Sequence, residues 1–189
     1  MAFDPAFIFA AVPVITTERL RLRELLPSDA PALFKIYSNA TVGRFNRWKI
    51  MTEEAEAVAK IAWFREHFEE KKRVRWGLEW QESGEIVGDV VLLNFDERAN
   101  SAEIGFNLGE AQWRKGLMRE AVSAVLAHGF AHYDLHRVQA LVVSENTAST
   151  GLLQRLGFQK EGYLREAGRI RGTYVDLEVW GLLAREWSD

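Results

Sequence analysis

The chain has 189 residues, enough for one self-sufficient core. Its 48% hydrophobic and 27% charged residues are those of an ordinary globular domain, and a net charge of −3 argues against a nucleic-acid partner. With no cysteine, disulfides, thiolate catalysis and cysteine-based metal sites are excluded, and a reducing cytoplasm is the expected compartment.

Residues 6–15 are apolar, but Asp4 precedes them and Pro13 interrupts them. A bilayer span needs about 20 residues, so no membrane segment is expected. Residues 1–16 read as an N-terminal arm that either packs or frays, and residues 17–189 read as a single domain. Alternation over 18–25, with Leu20 and Leu22 on one side and Arg19, Arg21 and Arg23 on the other, predicts a half-buried strand. Pro27, Ser28 and Asp29 form a turn and cap before a short helix over 30–38. An irregular aromatic stretch, 40–51, carries Phe45 and Trp48. Thr52 is then expected to cap a helix that starts acidic and runs to about Lys72.

Three strands should follow as an antiparallel meander. Val74, Trp76, Leu78 and Trp80 share a face of the first, and Ser83-Gly84 makes the hairpin turn. Residues 86–93 are apolar enough for a central strand. After a turn over 96–100, Ala102, Ile104, Phe106 and Leu108 line one face of the third. A helix over 116–133 follows, with Leu117, Met118, Ala121, Val122, Val125, Leu126 and Phe130 at a 3.6-residue period. The unbroken apolar run 138–143 predicts a buried strand with parallel pairing, completing a right-handed βαβ crossover. Asn146 caps a helix over 147–156, and strands over 159–166 and 174–183 are joined by a turn from Gly168 to Gly172. The class is α/β, with a mixed sheet and helices on its faces.

The loop Trp113, Arg114, Lys115, Gly116, Leu117, Met118 lies between a strand and a helix N-terminus. Such a turn presents backbone N–H groups and the helix dipole to an anion. Lys115-Gly116-Leu117 is not a P-loop, because the four-residue spacer to a second glycine is absent. His128 and His132 stand four apart, a spacing that can hold a metal, but no third ligand is evident and no metal site is expected. His67 reads as solvated and His136 as part of a helix-to-strand turn. Of seven tryptophans, Trp76 and Trp80 read as core, and Trp48 as the better candidate for touching a substrate.

Several motifs occur in register on these elements. They are Glu103 to Leu108, Lys115 to Ala121, Asn146-x-x-Ser149, Leu156-Gly157-Phe158, Lys160-Glu161-Gly162 and Gly172-x-Tyr174-x-Asp176. Together they resemble the GNAT superfamily of acyl-CoA N-acyltransferases. Within it they are most similar to the bacterial ribosomal-protein-alanine N-acetyltransferases (RimJ/RimL-type). The resemblance covers residue 17 to the C-terminus. It implies a mostly antiparallel mixed sheet with a splayed parallel strand pair and helices on both faces. It also implies acetyl-CoA as cofactor, with pantetheine along Phe106, Asn107 and Leu108 and the pyrophosphate on Trp113, Arg114, Lys115, Gly116, Leu117 and Met118. Asn146 and Ser149 complete the slot. Arg114 stands where the family more often has glycine; it reads either as an extra cation for the pyrophosphate or as a solvated charge.

Direct transfer from a thioester needs a neutral amine, a stabilised oxyanion and a proton for the departing thiolate. The tyrosine many relatives use for that proton is replaced here by Leu153. By the resemblance Ser149 takes its place, although a first-turn serine can equally satisfy a backbone group. Glu103 is the candidate base, or else a strand carboxylate paired with an Arg or Lys. The glutamate assigned as base in the ribosomal-protein branch falls at Gly168, and Glu166 lies two residues away. The acceptor implied is a primary amine, at a peptide or protein N-terminus such as a ribosomal-protein alanine, or on a small molecule. A non-catalytic acyl-CoA-binding module is the reading from another class. No membrane or nucleic-acid partner is expected, and monomer and homodimer stay open.

Overall fold

The computed structural model describes residues 4–188. Met1, Ala2, Phe3 and Asp189, which include the start of the expected arm, lie outside them. Strands β1 (Ile15–Thr16), β2 (Leu20–Arg23), β3 (Arg73–Trp80), β4 (Ile86–Asp96), β5 (Ser101–Leu108), β6 (Arg137–Val143), β7 (Gln159–Ile170) and β8 (Thr173–Leu183) form one sheet, ordered β1-β2-β3-β4-β5-β6-β8-β7. Every pairing is antiparallel except β5 with β6.

Helices α4 (Leu117–His132) and α5 (Thr147–Arg155) cover one face. There Leu117, Val122, Leu126 and Leu153 join Trp76, Val90, Ile104, Val138 and Leu182 in the main core. Helices α2 (Ala30–Tyr37) and α3 (Glu54–Glu69) cover part of the other face, with Leu33, Ile36, Ile61 and Phe64 packed around Leu25 and Ile86. At Gly77 a Cβ would lie 2.6 Å from Leu25, so that strand position admits no side chain. A short N-terminal helix, α1 (Pro5–Ile8), buries Ile8 in the main core, and the Trp76 indole donates to Pro13 O at 2.8 Å.

Several boundaries differ from the sequence expectation. Helix α3 is capped at Glu53 rather than Thr52: the Glu56 carboxylate accepts from the N–H groups of Thr52 (2.6 Å) and Glu53 (3.2 Å), which sets the first turn one residue later. It stops at Glu69 because Lys71 turns left-handed at φ 57°. Strand β7 runs on to Ile170, so Gly168 is a strand residue and the turn is Arg171-Gly172. The register slips between Leu164 and Gly168, where Asp176 accepts from the Glu166 N–H at 2.7 Å and the Tyr163 hydroxyl at 2.6 Å. Strand β6 is apolar as expected, but only Arg137 to Gln139 pair in parallel, and its whole length pairs antiparallel with β8.

His128 and His132 stack at 4.6 Å on α4, with Tyr133 edge-on to His128. No cluster of three metal-ligating acid or imidazole groups occurs among the described residues. Burial first, and then the neighbouring His132, push the His128 imidazole down to about 4 from 6.5. Its pKa is lower folded than unfolded, so between these values the unfolded chain holds more protons. Stability is therefore present above about pH 6.5 and lost as pH falls towards 4. His128→Leu should flatten denaturant-midpoint stability over that window, removing a slope worth about 1–2 kcal/mol after allowance for solvent screening. An unchanged slope would contradict this account.

Candidate active site

The parallel pairing of β5 and β6 ends after three residue pairs, the last being Glu103 with Gln139. From Ile104 to Leu108 the β6-facing edge of β5 carries no ladder, and the strands diverge. Each then leads into a helix: β5 through residues 109–116 into α4, and β6 through residues 144–146 into α5. Both helix N-termini thus lie at the carboxyl ends of the splayed pair, where open parallel strands bind ligands.

The loop before α4 leaves backbone donors free. Arg114 (φ 63°) and Gly116 (φ 79°) are both left-handed, and Gly116 is the N-cap with no side chain capping the helix. The first N–H groups of α4 therefore point outward without intrahelical partners. Leu117 and Met118 bury their side chains in the core, so they can offer a ligand only backbone. Arg114 is exposed and has no ion pair or side-chain hydrogen bond among the described residues. Lys115 lies over Trp80, its Nζ 5.0 Å from the ring centroid. The Trp113 indole donates to Leu108 O at 2.9 Å and tethers the loop to the end of β5.

The loop is braced from β2. Arg19 donates to Lys115 O (2.8 Å) and pairs with Glu120 (2.7 Å), which also accepts from the Thr17 hydroxyl at 2.6 Å. Burial alone would raise the Glu120 pKa; the bonds from Thr17 and Arg19 outweigh it and hold the carboxyl below its ordinary range. This brace was not foreseen. Its one signal was the acid in the first turn of α4, where the dipole favours it.

On the other side of the splay, Asn146 caps α5 by accepting from the Ser149 N–H at 3.2 Å. The Ser149 hydroxyl has no hydrogen bond among the described residues and stays partly exposed. Leu153 is fully buried one turn on.

Glu103, partly buried, accepts from Asn94 Nδ2 at 3.0 Å, so its hydrogen-bond partner is an amide, and Arg73 acts on it through charge alone. The register sets Arg73, Leu93, Glu103 and Gln139 side by side across β3, β4, β5 and β6. Gly105 and Asn107 continue along the same face. Gly168 has no room for a side chain, since a Cβ would come within 2.8 Å of Val175. Glu166 is exposed in the bulge with φ 52°.

A buried polar cluster stands beside Asn107, and sequence reasoning missed it. Asp89, with 0% of its surface exposed, pairs with Arg75 and accepts from the Tyr37 hydroxyl at 2.9 Å and from Asn107 Nδ2. Burial, and then the charge of Asp89, push the Tyr37 phenol up. Asn46 Nδ2 donates to Asn107 Oδ1 at 3.1 Å, tying β5 to the irregular segment. The available signal was a single acid within the apolar run 86–93. Trp48 stacks on Tyr37 at 4.6 Å and packs with the α2–α3 cluster. At the far end of the segment, Phe45 packs on Val143, Ile170 and Leu177, and Arg171 donates to Gly43 O and Arg44 O at 3.1 and 2.7 Å. The β7–β8 tip and residues 42–46 thus meet over the splay.

Comparison with known proteins agrees with this geometry. Residues 19–159 match the Acetyltransferase (GNAT) domain. The chain is 34% identical over 171 residues to the uncharacterized N-acetyltransferase YoaA of Bacillus subtilis (strain 168), covering 90% of this chain and 97% of that one. It is 27% identical over 185 residues to the [ribosomal protein uS5]-alanine N-acetyltransferase of Escherichia coli (strain K12), covering 92% of each. Mycobacterium smegmatis RimJ, solved in complex with CoA-disulfide, shares the fold with a TM-score of 0.84 at 23% identity, covering 94% of this chain and 90% of that one.

The chain belongs to the GNAT acetyltransferases, and it is an enzyme whose acetyl donor is acetyl-CoA. The uncapped α4 N-terminus, the ladder-free edge of β5 and the unengaged Ser149 hydroxyl fit that donor. Gly116→Asp should abolish calorimetric binding of acetyl-CoA, because it adds both left-handed strain and a negative charge. Gly116→Ala, which adds the strain alone at about 1–2 kcal/mol, should weaken binding about tenfold. Wild-type affinity in Gly116→Asp would remove this loop from the cofactor site.

Proposed function

Starting from membership of the GNAT acetyltransferases, we propose that this chain acetylates a primary amine at a peptide or protein N-terminus, such as that of a ribosomal-protein alanine. One observation carries the reading. The splayed β5–β6 edge opens on the face that Glu103 shares with Gly105 and Asn107, and the helix N-termini flank its mouth. Similarity to the uS5-alanine N-acetyltransferase supports a protein N-terminus as acceptor. The uncapped N–H groups of α4, with Arg114 and Lys115, hold the pyrophosphate, and the backbone of Phe106, Asn107 and Leu108 holds the pantetheine arm. Trp113 keeps the loop closed on β5, and Asn146 fixes the turn that presents Ser149. Leu117 and Met118 contribute backbone only.

When bound, acetyl-CoA supplies an activated acetyl group on sulfur. Glu103 takes a proton from the acceptor ammonium, directly or through water, which leaves the nitrogen lone pair free to attack. As the N–C bond forms and the C–S bond breaks, Ser149 Oγ donates its proton to the departing sulfur and recovers one from the attacking nitrogen, which ends as the neutral amide. Attack by the amine is direct, in a ternary complex; with no cysteine in the chain the most obvious acyl-enzyme route is closed. The proposed setting is the cytoplasm, where ribosomal proteins are made and acetyl-CoA is available.

Thiol release should be measured on a panel of N-terminal peptides beside polyamines and amino acids. Release on peptides supports the proposal, whereas release confined to small amines would overturn the acceptor class. Ser149→Ala and Glu103→Gln should each lower kcat about 10²-fold while leaving the Kd for acetyl-CoA unchanged. Full activity in either variant would remove that residue from the proton path.

A further inference from the structure

The wall of the groove above β3 carries more positive charge than the protein neutralises. Lys60 faces the sheet from α3, its Nζ 4.1 Å from the Trp63 ring centroid and 5.5 Å from that of Phe64. Arg73 lies over Trp63 at 4.7 Å and Arg75 over Phe64 at 4.2 Å. The two rings thus gather three cations into one patch. Arg75 is consumed by Asp89, which also bonds Tyr37 and Asn107. Lys60 and Arg73 have no carboxylate within 4.0 Å and no side-chain hydrogen bond among the described residues. Arg73 Nε is buried without a partner. Burial, followed by the like charges around them, holds both groups below their ordinary pKa range, against a weaker opposite pull from Glu103 on Arg73 and from Asp89 on Lys60.

Partly buried cations without counter-ions are costly, and an arriving anion removes that cost. We infer that Lys60 and Arg73 form an anion subsite of the acceptor groove, reading an acidic side chain at the second or third residue of the acceptor peptide. The spacing follows from the sheet. Arg73 shares a row with Glu103 two strands away, about 10 Å across. An extended peptide advances about 3.3–3.6 Å per residue. With the amine at the splay beside Gly105, the second and third side chains come within reach of Arg73 and Lys60. The inference rests on the acceptor reading above for the position of the amine.

The test is calorimetric titration of two isosteric peptides, Ala-Glu-Glu-Gly and Ala-Gln-Gln-Gly, into the full chain saturated with coenzyme A. The acidic peptide should bind about 5–20-fold more tightly at low salt, with the ratio falling as salt rises. Lys60→Met and Arg73→Met should each bring the ratio below about 2, while Arg73→Lys should keep most of it. Coenzyme A affinity at the wild-type level certifies the fold of each variant. Equal affinity for the two peptides, or no binding of either, overturns the subsite. Free glutamate binding more tightly than the acidic peptide would assign the charges to a small amine and likewise overturns it. Thiol release on the same peptides with acetyl-CoA in place of coenzyme A separates the two readings: selective binding without release leaves the subsite standing and defeats the proposed peptide acetylation.

Discussion

The parallel ladder between β5 and β6 breaks off after Glu103 and Gln139, and the rest of the site depends on that break. A strand edge without partners is a liability in a sheet, because its N–H and C=O groups must be met by something. Here the unpaired edge lies in the middle of an eight-stranded sheet, held open by the neighbours on each side. Strand β4 holds β5 along the length of the gap, and β8 holds β6. The rigid outer pairings keep the central one from closing, which preserves a slot with strand-like hydrogen-bonding capacity for an extended ligand.

The break also sets where charge is placed. Both strands of a parallel pair end at the same side of the sheet, so the helices that follow begin there together. Two sets of helix N–H groups converge on one mouth without any long-range design in the loops. What the loops add is restraint. Arg19 and Thr17 secure Glu120 and the Lys115 carbonyl, and the Trp113 indole secures Leu108. The left-handed residues at 114 and 116 are thus held in place with their N–H groups outward, an arrangement that a flexible glycine loop would have to order on binding.

The opposite face is organised around a buried charge. Asp89 is a fully enclosed carboxylate, and its partners Arg75, Tyr37 and Asn107 come from three elements. A charge in that position is tolerable only while all its partners are present. The cluster therefore couples the register of β3, β4 and β5 to the placement of α2 and, through Asn46, to the segment that meets the β7–β8 tip. The same packing that pairs Arg75 leaves Arg73 and Lys60 without an ion pair beside the groove, so this face differs in charge from the weakly acidic chain as a whole.

The sequence by itself determined the class of the sheet, the α4 stripe from Leu117 to Leu126, the Asn146 cap and the glycine turn at 113–118. These are local facts, carried by side-chain period, by a cap within three residues and by a glycine where φ is positive. The tertiary structure alone decided where the parallel ladder stops, because strand divergence is a property of three neighbouring pairings and leaves no mark on either strand's pattern. It decided that Ile8 belongs to the core, that Gly168 sits in a strand against Val175 and that Glu103 meets Asn94. It also decided the fate of each charge in the groove. Asp89 and Arg75 are fourteen residues apart on adjacent strands, and Lys60 joins them from helix α3. Which cation finds a carboxylate and which stays free follows from register and burial, which no window of sequence contains.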